Sequence, residues 1–539
     1  MKKIWKKLFC VVLTLVLVAG CCAALAACNN KVIMIWGPGD HEEIYLKYLN
    51  KFAEEHKDEL GGYTFQYAGS GDAGAYSAMS TDSSSVGVYT FANDQMANLI
   101  NLNALAVISG DNLKWSEENN IKAAFDATQF SDGKYYAYPL QADNGYFLYY
   151  NKAAFKGSAI AEADGTLKDN FTFRDLYNAL EATSNTSEYK NASGETVTAS
   201  WNKGIVTWPM GDSWYTSGVF FAVGADYYVE YDSNGKQTDN TEAWFGWTNE
   251  ADPTNKDVDL YDYKIGMNAY QCLKNSITKE DGKTVNPHYL YSDGSAFPLN
   301  DYITYYTDVN DAQHWGQTPL AAVVCGTWKA QELQKAWGDD YAATWLPILE
   351  NDAGQQFSMK NFAGYKHMGV NPQCDFVINA GDEAYARLSL LHELAQYLCG
   401  VDISVERYMA TGAGPANKEA LENETIANDA ALLALNKQYD RVCVYPEGYT
   451  GIEIAYTVNE EGKTVRTVKQ VKAGDPVGNG LGFRTQDSVP SGYWTPIQNF
   501  GNTLYQEFKP GGTKKQFANT TSIQAALRQL QKDIETAAE

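Results

Sequence analysis

Short apolar runs alternate with amphipathic stretches along most of the chain, in the strand–helix–strand rhythm of an α/β protein. Residues 32–36 (VIMIW) form an apolar run closed by Gly37-Pro38-Gly39, and 41–57 then carry apolar positions at helical spacing. Residues 63–67 and 86–90 repeat the strand pattern, with helices expected near Tyr76 and over 94–100. Strands alternating with helices predict a mostly parallel sheet covered on both faces. The same signals return at 320–324 and at 382–398, where an amphipathic helix is expected. They return again at 522–538, where Leu527, Leu530 and Ile534 share one face. Two stretches depart from this pattern. Residues 226–315 are rich in Tyr, Asp, Asn and Gly with one helix around 261–274, and 446–490 lean toward strand with many turn residues, as an inserted hairpin or two would. A chain of 539 residues exceeds what one core supports and predicts two or three domains.

The first residues say where such domains reside. Lys2, Lys3, Lys6 and Lys7 precede an uncharged apolar run over 8–27, the basic and apolar regions of a secretory signal. The run ends in Leu25-Ala26-Ala27-Cys28, which resembles a bacterial lipobox. On that resemblance 1–27 is a signal peptide and Cys28 the acylated start of the mature chain, with Cys21 as the alternative; an uncleaved anchor helix is the other reading of the run. A doubly acylated cysteine anchors stably where one acyl chain is marginal, so the protein is expected on the extracytoplasmic face of a bacterial plasma membrane.

Net charge is −24 and becomes −28 without 1–27, which excludes nucleic acid and an anionic lipid face as partners. Membrane contact is expected through the lipid anchor only. Cys272, Cys325, Cys374, Cys399 and Cys443 include no CxxC pair and no metal-ligand spacing, so no metal or other cofactor is expected. Buried thiols are expected, with one disulfide left open.

Tyrosine (37) and tryptophan (13) are frequent enough to suggest aromatic binding surfaces. Four segments bear on this. Residues 135–152 read YYAYPLQADNGYFLYYNK and lead to Phe155; residues 88–95 read VYTFANDQ; 321–328 end in Cys-Gly-Thr-Trp; and 411–418 read TGAGPANK, followed downstream by Tyr493-Trp494. In this order they resemble the carbohydrate-binding branch of the solute-binding proteins of ABC importers, the maltodextrin-binding group in particular. Phe91 and Gln95 stand where that family's loop has Trp and Arg. The resemblance implies two α/β lobes joined by a hinge, with a ligand cleft between them. Lobe one would hold 31–141 plus 318–412, the 321–328 segment re-entering it, and lobe two 142–317 plus 413–539. It further implies a monomer that closes on a sugar, of which a maltodextrin-like oligosaccharide is the first expectation, and passes it to a permease powered by a separate ATPase.

Sugar chemistry suits these residue types. Aromatic faces stack on the C–H faces of a pyranose while carboxylates and amides pair its hydroxyls, each buried charged hydrogen bond contributing roughly 1.5–3 kcal/mol. The expected ligand contacts are Asp40, Phe91, Asp94, Asp143, Tyr146, Trp208, Asp212, Trp214, Trp328 and Trp494. Core packing is the competing reading for each tryptophan, and a helix N-cap is the competing reading for Asp40. Acidic aromatic clefts also occur in glycoside hydrolases, but no catalytic motif is present and no catalytic residue is expected. A peptide or polyamine ligand is the alternative within the importer class.

Overall fold

The first strand of the computed structural model, β1 (Val32–Gly37), buries Ile33 and Ile35 and leaves the alternate residues only half covered, as the two-residue period of a strand requires. It pairs in parallel with β2 (Thr64–Gly69) and β3 (Val86–Ala92). Every residue of β3 is buried, as in a central strand with both faces covered. Ile44, Tyr45, Leu49 and Phe52 on the helix Glu42–Glu55, and Leu390, Leu391, Leu394 and Leu398 on the helix Ala384–Leu398, join the core around Ile33 and Val88. The sheet runs β2, β1, β3, then Asn361–Val370 antiparallel to β3, then Phe483–Thr485; β4 (Tyr138–Asn144) also pairs with Asn361–Val370. The structure describes residues 31–536 except 82, 191–195, 233–235, 239, 250–260, 293–305, 308–312, 315–318, 459–463, 487–488, 491 and 513–514. Cys21, Cys28 and the signal sequence lie outside the described residues.

β5 (Tyr146–Asn151) opens a second sheet of five strands, in the order Tyr289–Tyr291, Ile205–Trp208, Leu320–Gly326, β5, Tyr341–Thr344. Its alternate side chains serve opposite cores. Tyr146, Leu148 and Tyr150 join Trp208, Val219 and Phe220, while Phe147 and Tyr149 join Cys325, Leu333 and Leu435. Two α/β lobes result, each with its own sheet.

The lobes share strands. Asn361–Val370 gives Phe362 to the second lobe's core and Met368 and Val370 to the first. β4, antiparallel to it, gives Tyr138 and Leu140 to the first core, and β5, the next strand in the chain, gives Tyr146 to the second. At the crossing Asn361 Nδ2 donates to the Tyr146 carbonyl at 3.2 Å. A Cβ on Gly145 would fall 2.8 Å from that nitrogen and 2.6 Å from the Tyr439 hydroxyl oxygen, so glycine fits the crossover and a side chain does not.

One expectation about the lobes needs correction. Leu320–Gly326 does not re-enter the first lobe; it lies inside the second sheet, paired with Ile205–Trp208 on one side and β5 on the other. The following helix, Ala330–Trp337, packs Leu333 and Trp337 on the same sheet. The expected first-lobe segment 318–412 therefore divides, and its first-sheet part begins on Asn361–Val370. The turn-rich 446–490 stretch contains the hairpin Thr450–Val458 with Thr464–Lys472, and the central helix is Lys264–Ile277. Cys272, Cys325, Cys374, Cys399 and Cys443 are all free and buried.

Gly218 tests how tightly the crossover is held. It lies in the helix Ser213–Ala222, where a Cβ would sit 2.1 Å from the Lys360 carbonyl oxygen and 2.4 Å from the Tyr146 hydroxyl oxygen. Alanine gains about 1 kcal/mol in helix propensity, but overpacking against backbone costs about 1–3 kcal/mol, and the Lys360 backbone at the crossover has little room to yield. Gly218→Ala is expected to lower the urea unfolding midpoint; an unchanged or higher midpoint would show that helix and crossover stand further apart.

Candidate functional site

Short 3-10 turns follow the carboxyl ends of β1, β2 and β3: Gly39–His41, Asp72–Gly74 and Asn93–Gln95. This edge of an α/β sheet is where ligands bind, and each turn places an aspartate there. Asp40 is exposed. The Asp72 carboxylate accepts from the Thr90 hydroxyl and pairs with Lys366 Nζ at 3.1 Å. Burial opposes the charge of Lys366, yet Asp72, Asp143 and Asp40 together hold its ammonium above the usual lysine range. Asp94 has its Oδ1 enclosed and without a partner among the described residues. Burial pushes its carboxyl up to about 7, against a hydrogen bond from Gln486 that favours the charged form.

Gln95 is buried and ties two of these turns together. Its Nε2 donates to the Asp72 carbonyl at 2.7 Å and its Oε1 accepts from the Tyr76 amide at 2.8 Å. His41 is buried beside Asp40, with Nε2 3.1 Å from Thr411 Oγ1. Burial first, then the Arg407 guanidinium, brings its pKa down to about 4, so the ring is neutral at pH 7.

The second lobe contributes an aromatic wall. Trp214 opens the helix Ser213–Ala222, its ring centre 5.6 Å from that of Trp328 at an interplanar angle of 32° and 4.9 Å from that of Tyr146. Trp328 is 40% exposed. Its ring folds back over Gly326, where a Cβ would stand 2.1 Å from it and 2.7 Å from the Gly145 carbonyl oxygen. Asp143 lies beneath this turn, its Oδ2 accepting from Thr327 Oγ1 and from the Gly414 amide, each at 2.7 Å.

Asp143, Tyr146, Trp214 and Trp328 are thus gathered at the hinge, with Asp40 and Asp94 on the carboxyl edge of the first sheet. Several expected contacts are corrected by burial. Phe91 has no exposed surface and packs with Tyr89 and Met96, because β3 is covered on both faces. Trp208 is fully buried and stacks on Phe173 at 5.3 Å. Tyr146 is fully buried too, its hydroxyl donating to the Trp214 carbonyl at 3.2 Å, so it backs the wall from behind. Asp212 caps the helix, its Oδ1 accepting from the Trp214 amide at 2.8 Å. Trp494 packs on Phe362 at 5.7 Å and lines a groove of about 550 Å³ with Phe500, Phe517 and Asp533, between the helices Trp494–Phe508 and Thr520–Glu535. Sequence reasoning missed Asp72, Lys366, Thr327 and Gln486. Only Lys366 leaves a signal, as a lone cation inside the strand-like run 361–370.

Comparison with known proteins agrees with this architecture. The maltodextrin-binding protein of L. casei BL23, solved without ligand, superposes with a TM-score of 0.57 at 16% identity, over 94% of this chain and 100% of that one. The maltotriose binding protein of Thermus thermophilus, bound with maltotriose, gives 0.52 at 14% identity, over 93% and 99%. MalX from Streptococcus pneumoniae, in complex with maltopentaose, gives 0.50 at 17%, over 93% and 99%. At such identities the likeness establishes the two-lobed fold. No curated protein sequence matches. The family described as bacterial extracellular solute-binding protein matches residues 47–434, and the chain belongs to that family.

Proposed function

We propose that this solute-binding protein captures a sugar between its lobes and delivers it to an ABC permease, anchored to the extracytoplasmic face through acylated Cys28, or Cys21. A maltodextrin-like oligosaccharide is the preferred ligand, and the protein acts as a monomer without catalysis. The observation that carries this reading is the Trp214–Trp328 pair, one ring 40% exposed, beside a hinge that also bears buried carboxylates. Such a wall takes the C–H face of a pyranose while Asp40 and Asp94 accept hydroxyl protons. Asp143, Tyr146 and Asp212 support the wall and the hinge. A polyamine is the second reading, favoured by three carboxylates (Asp40, Asp72, Asp143) around one lysine.

Titration calorimetry against maltotriose to maltopentaose, a hexose, spermidine and a tripeptide tests the class. Micromolar or tighter binding to the oligosaccharides is expected. Trp328→Ala is expected to weaken it roughly 10- to 100-fold, the loss that removing an aromatic face implies. Silence toward every sugar, with heat from spermidine or the tripeptide, overturns the proposal.

Affinity should also follow pH through Asp94. Its carboxyl is protonated below about 7, and the acid form has fewer free acceptor sites than the carboxylate. Binding is therefore expected to strengthen as pH rises from 6 to 8, and Asp94→Asn to flatten the profile. A wild-type affinity constant across that range would remove Asp94 from the site.

A further inference from the structure

The sequence marks Asp143 as a cleft-facing ligand carboxylate, but the structure gives this side chain other work. It is 5% exposed, and its Oδ2 is shared by two donors from distant parts of the chain, Thr327 Oγ1 and the Gly414 amide, both at 2.7 Å. Thr327 is itself buried and directly precedes Trp328. Gly414 belongs to the loop 412–417, which pairs with β4 through the Ala142 amide and the Gly414 carbonyl at 3.1 Å. That approach requires glycine, since a Cβ at 414 would lie 2.7 Å from Asp143 Cβ and 2.8 Å from Leu432 Cδ2. The loop also borders Thr411, whose Oγ1 meets His41 from the first lobe's cleft edge.

We propose that Asp143 is a positioning residue: its carboxylate latches the turn Gly326-Thr327-Trp328 onto the loop 412–417 and so sets the angle at which Trp328 stands against Trp214. Gly326 ahead of it is held in the sheet opposite Tyr146, with its carbonyl accepting from the Tyr149 hydroxyl at 3.1 Å, and the Trp328 ring rests on Gly326 and the Gly145 carbonyl. Charged acceptors form shorter and stronger hydrogen bonds than neutral ones, which suits a single oxygen that must hold two donors. Its importance to binding rests on the aromatic wall being the sugar surface; the latch itself does not.

The key variant is Thr327→Val, which removes one donor, nearly preserves volume and touches no ligand. The protein is labelled with 5-fluorotryptophan and the Trp328 resonance is assigned with Trp328→Phe. Without ligand, Thr327→Val and Asp143→Ala are each expected to shift that resonance, and Thr327→Ser to leave it in place. With maltotetraose as the probe, both are expected to weaken binding about tenfold, which is about 1.4 kcal/mol. The double variant should be no weaker than the worse single one, because the two residues share one contact. Melting temperature is followed alongside, since a purely structural loss would lower it without moving the Trp328 line. An unmoved Trp328 line in Thr327→Val, or additive losses in the double variant, overturns the latch. A shifted line in a protein that never binds maltotetraose upholds the latch and overturns the sugar reading instead.

Discussion

Two strands pass between two hydrophobic cores within hydrogen-bonding distance of each other, and the cleft takes its shape from that passage. Asn361–Val370 runs antiparallel to β4, which continues into β5, and each path leaves apolar side chains in both cores. Close contacts at Gly145 and Gly364 show how little slack remains. At Gly364 a Cβ would lie 2.8 Å from Gln486 Oε1 and 2.9 Å from both Asn144 Nδ2 and Asn93 Oδ1. Hinge motions in two-lobed proteins are absorbed by a few residues at such crossings, and in this chain the crossings lie around 143–146 and 360–364. Two of the charged groups behind the cleft edge ride on the same strands, Asp143 on one and Lys366 on the other. The crossing and the electrostatic environment of the site are consequently linked through the backbone.

Most of the fold is legible in sequence because strand and helix faces are written in adjacent positions. The patterns at 41–57, 86–90, 382–398 and 522–538 correspond to Glu42–Glu55, Val86–Ala92, Ala384–Leu398 and Thr520–Glu535. Which sheet a strand joins is a different kind of fact. Leu320–Gly326 is apolar throughout and fits either lobe locally; only its pairing with β5 and Ile205–Trp208 decides. The site divides in the same way. Trp214 and Trp328 are visible as tryptophans at element ends, but so is Trp208, at the end of a strand, and there Phe173 from the helix Phe173–Ala182 stacks on it. Likewise nothing near Asp143 in sequence announces Thr327 or Gly414, and nothing near Asp72 announces Lys366.

Charge at the cleft edge then discriminates between ligands. Asp40, Asp72 and Asp143 act together on the Lys366 ammonium and keep it protonated despite its burial. An anionic solute would meet more carboxylates than cations, at about 4 kcal/mol per unit pair at 4 Å for an effective dielectric of 20. A polyamine finds carboxylates, but the strongest of these sites is already held by Lys366, 3.1 Å from Asp72. Its ammonium groups would compete with a tethered amine that pays no translational entropy to stay. A neutral polyol meets neither obstacle. It uses carboxylate lone pairs that ion pairing leaves open, and its C–H faces match the Trp214–Trp328 wall. By holding the carboxylates around it, the same lysine makes the edge less receptive to a cation than the carboxylates alone would be.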